Sequence, residues 1–132
     1  MHLRHALDRD ISVGLGTDVG AGRSFSIRRV AASAYDASLM VSLPVSPERL
    51  IWLATAGGAE AIGLRDRVGR LASGYDADII AVPLQARDVH RQRSQGEAAL
   101  YEQEKQAILD ALIFQHDAGP VTATYTRGAR LR

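Results

Sequence analysis

Gly14-Leu15-Gly16-Thr17-Asp18-Val19-Gly20-Ala21-Gly22-Arg23-Ser24-Phe25-Ser26 joins a short apolar run to a helix and leaves one carboxylate at the junction. The run begins at Ile11-Ser12-Val13, where apolar and small residues alternate up to Gly16, the pattern of a buried strand. A glycine-rich turn between strand and helix raises the question of a phosphate-binding loop. A G-x-G-x-x-G fingerprint needs glycine where Val19 stands, and no acidic residue ends a second parallel strand downstream. Thr17 to Ser24 has the spacing of a P-loop, but Thr17 replaces its first glycine and Arg23 its lysine. Both nucleotide readings fail at their functional positions. Two readings of Asp18 remain open: an aspartate capping the next helix, or a catalytic or metal-binding carboxylate approached closely by glycine backbone.

The surrounding composition narrows the classes. The chain has 132 residues, 46% hydrophobic and 23% charged, the length and balance of one globular domain. Sixteen basic residues face fifteen acidic ones, for a formal charge of +1. No electrostatic footprint for nucleic acid or an anionic membrane results. The absence of cysteine excludes disulfides, thiolate metal sites and cysteine nucleophiles, so a metal would take nitrogen and oxygen ligands. No apolar run approaches the ~20 residues of a membrane span, and Met1 to Leu7 lacks a signal-peptide core. A cytoplasmic protein is expected.

Outward from the opening stretch, Leu3 to Asp8 reads as the last turns of a helix. Arg23 to Val41 shows helical spacing, with Ser24 or Ser26 as caps. Ser46-Pro47-Glu48 starts another helix that turns Leu50, Ile51, Leu53 and Ala54 inward. Gly57-Gly58 interrupts it, and a second piece ends at Gly63. Val68–Leu71 and Ala77–Val82 read as two strands around a turn, stopped by Pro83. Residues 85–96 form a polar loop. Residues 97–116 are helical, with an apolar stripe of Leu100, Ile108, Leu109, Leu112 and Ile113. Val121 to Thr126, the turn at Arg127-Gly128 and Ala129 to Arg132 form a terminal hairpin. The expected class is mixed α/β, with residues 46–64 and the last helix packing on the hairpins as a small core.

Several of these motifs together resemble one family. Leu15-Gly16-Thr17-Asp18-Val19-Gly20-Ala21-Gly22-x-Ser24-Phe25-Ser26, followed by Ala34-Tyr35, is similar to the eighth barrel strand and following helix of the guanine deaminase family of metal-dependent amidohydrolases. The resemblance continues through Leu53-Ala54-Thr55-x-Gly57-Gly58-Ala59-x-Ala61-Ile62-Gly63-Leu64 and Asp66-Arg67-Val68-Gly69-x-Leu71-x-x-Gly74-x-x-Ala77-Asp78-Ile79-Ile80. It runs out at Thr124-Tyr125-x-x-Gly128. Tyr75 departs from the usual lysine, and Gln115-His116-Asp117-Ala118 from a Gly-Asp-Asp-Arg-like turn.

The resemblance implies the C-terminal fragment of a (β/α)8 barrel, strand eight with flanking helices, plus part of a small β-sandwich domain. Residues 1–64 would be the last barrel strand and C-terminal barrel helices. Residues 65–84 would be a β-hairpin of the small domain, 85–96 a polar loop, 97–116 a helix and 117–132 the terminal hairpin. A barrel needs eight strands and typically ~250 residues, so apolar faces are expected to be exposed and to invite self-association or a missing barrel segment. The implied reaction converts guanine and water to xanthine and ammonia. Asp18 takes the position of the family's metal-binding and proton-handling aspartate, with zinc (or iron) supplying a hydroxide at neutral pH.

The family's other ligands come from earlier strands. His2 and His5 read as solvent-facing on one helix face, His90 as a loop residue and His116 as a helix-end residue, and none matches a ligand position. The chain by itself is therefore expected to hold metal poorly and to be inactive, since catalytic zinc uses about three protein ligands. Two alternatives stay open: a truncated relic serving as an interaction or oligomerisation module, and a deaminase of another nitrogen heterocycle.

Overall fold

Three helices bury one another through a small set of apolar side chains. The computed structural model describes residues 3–83, 97–115 and 120–131. Its elements are α1 (Leu3–Leu7), α2 (Ile27–Met40), α3 (Pro47–Ala54), α4 (Ala56–Ala61), β1 (Ile79–Ala81), α5 (Glu97–Phe114), β2 (Ala123–Thr126) and β3 (Ala129–Arg130), a mixed α/β arrangement. α2, α3 and α5 pack on one another pairwise. Ala31, Val45, Leu50, Leu53 and Ile113 are the buried centre, with Leu3, Leu7, Val13, Leu15, Tyr35 and Trp52 packed against it. The core is thus helix on helix, and not residues 46–64 against hairpins as expected.

The starts of α2 and α3 follow the sequence. Ser26 accepts a hydrogen bond from the Arg29 N–H at 3.4 Å, and Ser46 from that of Arg49 at 3.2 Å with Pro47 next in line. Both caps satisfy donors that the first turn leaves orphaned. The break between α3 and α4 falls at Thr55 (φ −129°, ψ −100°), two residues before the glycine pair expected to cause it. Gly57 lies inside α4, pressed under Trp52, where a Cβ would overlap the indole. Its lack of a side chain serves packing there.

The helix ends share one device. α1 closes through Asp10 (φ 54°), α2 through Ser42 (φ 55°) and α4 through Gly63 (φ 75°). In α2 the Ser42 N–H donates to the Leu39 carbonyl at 2.9 Å and the Leu43 N–H to that of Ser38 at 3.0 Å, the paired bonds of a Schellman motif. The same pair recurs at Asp10 and Ile11, and at Gly63 and Leu64.

α5 ends differently. The Arg28 guanidinium, projected from the first turn of α2, donates to the carbonyls of Leu112 (2.6 Å), Gln115 (3.0 Å) and Ala111 (3.5 Å). It satisfies the Leu112 and Gln115 carbonyls, adds to the Gln115 N–H that Ala111 already accepts at 3.1 Å, and its charge opposes the negative end of the helix dipole. Two turns further along α2, Tyr35 meets Phe114 edge to face at 4.9 Å. On α5, Ala111 and Ile113 are buried while Ile108 stays 38% exposed, so the stripe is rotated from the expected one. At the exposed edge of the bundle, Lys105 pairs with Glu48 of α3 at 3.3 Å. Its hydrogen bond to Glu48, reinforced by the charge of Glu102, holds the Lys105 ammonium pKa above the usual lysine range.

Two expected strand pairs are replaced. Residues 11–16 run extended with Val13 and Leu15 half-buried, but the described residues provide no neighbouring strand, and a strand without a ladder is only an extended segment. The expected hairpin of 65–84 also gives way. Val68–Leu71 bends through a loop closed by the Arg67–Asp76 ion pair at 3.0 Å. β1 pairs instead with β2, Ile79 opposite Tyr125 and Ala81 opposite Ala123, in a sheet ordered β1-β2-β3.

The β2–β3 turn is Arg127-Gly128, both at positive φ (47° and 78°), as a two-residue hairpin of this twist requires. Asp78 secures it: its carboxylate accepts the Arg127 N–H at 2.9 Å, while the Gly128 N–H donates to the Ala77 carbonyl at 3.0 Å. The expected loop 85–96 and the turn at 116–119 lie outside the described residues.

Replacing Arg28 with Met should destabilise the chain by about 2 kcal/mol, a typical value for lost charge-assisted hydrogen bonds. Arg28→Lys should recover only part of that, since an ammonium lacks the guanidinium fork. Urea unfolding of the variants measures both. Asp78→Ala should cost about 1 kcal/mol, and Asp78→Asn, which keeps an acceptor oxygen, should cost clearly less in the same assay.

Candidate functional site

The opening stretch folds as an extended arm ending in a tight turn. Leu15 donates its N–H to the Leu53 carbonyl at 3.1 Å, fastening the arm to the end of α3. Gly14 passes so near α4 that a Cβ on it would stand 2.9 Å from the Gly58 Cα. Beyond this contact the chain reverses at Asp18 (φ 49°), a left-handed conformation that aspartate adopts more readily than most residues. The Asp18 carbonyl accepts the N–H groups of Ala21, at 3.0 Å, and of Gly22. Val19 and Gly22 form an isolated bridge across the turn.

This geometry removes one of the two readings left open. α2 begins nine residues after Asp18, and its cap is Ser26. Asp18 is not a helix cap. Nor does the turn cradle a phosphate, because the amides of Ala21 and Gly22 already face the Asp18 carbonyl. The Asp18 side chain is exposed at the tip, so water or a ligand reaches its carboxylate without displacing packed atoms.

A carboxylate in that setting is a fitting hard oxygen donor for zinc or iron. It is one ligand only. Among the described residues no group of three His, Asp or Glu side chains stands close enough to hold a metal. His5 lies exposed on α1, while His2, His90 and His116 are outside the described residues. No helix among the described residues is long and apolar enough to cross a membrane.

A sizeable groove among the described residues lies elsewhere. An open groove of about 870 Å³ runs between the arm at Leu15, α4 at Ile62, the loop at Leu71 and the sheet at Ile80. Leu71 is 83% and Ile62 70% exposed. Its walls are mostly apolar, with Thr55, Arg70 and Asp78 as polar exceptions, and Asp18 is not among them.

Comparison with known proteins places this geometry. The sequence model of the Amidohydrolase family matches residues 1–131. A guanine deaminase of Escherichia coli strain K12 is 35% identical over 89 residues, 64% of this chain and 20% of that protein. The solved structure of E. coli guanine deaminase superposes with a TM-score of 0.75 at 27% identity, over 98% of this chain and 29% of that one. An adenosine deaminase from Xanthomonas campestris, solved with bound zinc, superposes with a TM-score of 0.51 at 25% identity, over 78% of this chain and 20% of that one. The chain therefore spans less than a third of the length of these relatives.

Proposed function

Because the chain belongs to the amidohydrolase family, we propose that it forms the C-terminal part of a guanine deaminase-like hydrolase. On this reading residues 1–64 are the last barrel strand and the helices that follow it. The sheet of β1, β2 and β3 is part of a small β-sandwich, and the remaining strands come from a barrel segment that the chain docks against or is joined to. The observation that carries the proposal is the 0.75 superposition on E. coli guanine deaminase over nearly the whole chain, with Asp18 exposed at the turn where the extended arm ends.

The reaction is hydrolysis of guanine at C2, giving xanthine and ammonia in the cytoplasm. Asp18, together with ligands from the barrel segment, would hold a zinc or iron ion, which would supply a hydroxide at neutral pH. Asp18 serves as one oxygen ligand and as the proton carrier. Its carboxylate takes a proton from the attacking water and delivers it to the departing amino nitrogen, the two-way transfer that a fixed, solvent-reachable carboxylate can perform. The rigid turn matters because a proton carrier must stay within hydrogen-bond reach of both atoms. An alternative substrate, another purine or nitrogen heterocycle, is favoured by the likeness to an adenosine deaminase.

The test is guanine deamination, followed as xanthine and ammonia release. The chain assayed alone is expected to show no turnover, because one carboxylate falls short of the about three protein ligands of a catalytic zinc. Joined to a barrel segment carrying a His-x-His strand, it should turn over guanine. There Asp18→Asn should lower kcat by roughly 10³-fold or more, with an unchanged circular dichroism spectrum. Turnover at the wild-type rate in that variant would remove Asp18 from the mechanism.

A further inference from the structure

The run Gly14 to Gly22 holds four glycines, and the space around each separates their tasks. At Gly16 an added Cβ would meet nothing within 4 Å. At Gly20 the space is also open, although φ is 113°. Gly14 is closed off by α4. Gly22 is different from all three. A Cβ there would overlap the Thr17 carbonyl oxygen and stand 2.8 Å from that of Asp18. Both obstacles are backbone atoms of the residue that carries the carboxylate and of its neighbour, so relief must shift the backbone of the turn that holds Asp18.

We propose that Gly22 is the positioning residue of the Asp18 carboxylate. This rests on the role given to Asp18 above. The Gly22 and Ala21 amides grip the Asp18 carbonyl from one side, and the bare Cα of Gly22 lets the Thr17 carbonyl lie against it. Together they hold Asp18 at φ 49°, a conformation that a non-glycine residue keeps only where its surroundings impose it. An aspartate released from this grip relaxes toward negative φ and its carboxylate swings away from the arm's axis. The turn is exposed throughout and shares no residue with the buried core of Ala31, Val45, Leu50, Leu53 and Ile113. Its integrity is therefore separable from folding.

The experiment uses Gly22→Ala, with Gly16→Ala as control, in the full chain by nuclear magnetic resonance. A positive φ brings a residue's own amide and α protons close, giving a strong cross-peak. Asp10 and Ser42, at 54° and 55°, supply internal references for the same signature. Gly22→Ala should abolish the signature at Asp18 and the exchange protection of the amides at 21 and 22, leaving Asp10 and Ser42 unchanged. Gly16→Ala should alter none of them. Survival of the Asp18 signature in Gly22→Ala overturns the proposal.

A kinetic arm in the barrel-joined polypeptide separates this inference from its premise. Gly22→Ala should lower kcat roughly 10²-fold, the scale of a displacement near 1 Å, with KM held within about twofold. If Asp18→Asn is inactive while Gly22→Ala is fully active, the positioning role falls and the deaminase reading stands. If Asp18→Asn is active, the role given to Asp18 falls, and if the barrel-joined wild type shows no turnover the deaminase reading falls; in both cases the spectroscopic result still decides what Gly22 does for the turn.

Discussion

The Arg28 guanidinium, lodged against the last carbonyls of α5, is the contact on which the helical layer turns. It joins the start of α2 to the end of a helix more than eighty residues downstream. A helix end buried against a neighbour without partners for its carbonyls would be costly. A single fork-shaped cation meets three of them at once, and fixes both the rotation of α5 and its depth. Tyr35 against Phe114 then follows from that placement, as does the burial of Ala111 and Ile113 with Ile108 left outward. With α5 seated, α3 is enclosed on two sides, and Leu50 and Leu53 reach full burial.

The rest of the chain is held by turns more than by a continuous core. Three helices end in the same left-handed closure, and the terminal hairpin reverses through two left-handed residues. Ser38, buried at 5% exposure, donates its hydroxyl to the Tyr35 carbonyl and accepts the Val45 N–H, so that the loop after α2 is tied down from beneath. Asp78 does the equivalent work for the hairpin. Its motif partners Ile79 and Ile80 lie in β1, the Ala77 carbonyl accepts the Gly128 N–H, and the carboxylate supplies the acceptor that a sharply turned amide needs. The Asp18 turn belongs to the same class of local closure. It differs in leaving its side chain exposed instead of using it as a cap, which is why a functional reading attaches to Asp18 and a structural one to Asp78.

Much of this was legible in residue order because it is local. Ser26 and Ser46 declare their helices by the hydrogen bond that a hydroxyl can make three residues ahead. Arg127-Gly128 declares its turn because glycine tolerates positive φ. The motifs around Asp18 and from Leu53 to Ile80 carried the family, which the match over residues 1–131 bears out. Other features were hidden because they depend on what lies across space. Nothing near Arg28 in the chain announces the end of α5 as its target. Gly57-Gly58 reads as a helix breaker until Trp52 is seen lying over it. Ile11 to Gly16 and Val68 to Leu71 have strand-like patterns, yet a strand exists only where a neighbour accepts its hydrogen bonds.

Sequence by itself determined the helix starts, the hairpin turn, the family and the candidate carboxylate, all set by interactions spanning a few residues or by motifs kept intact. Tertiary structure alone decided which extended segments pair, which helix face is buried, and that Asp18 caps no helix. Those outcomes depend on the relative placement of groups distant in the chain, and hydrogen-bond and packing partners at that range leave no periodic trace in residue order.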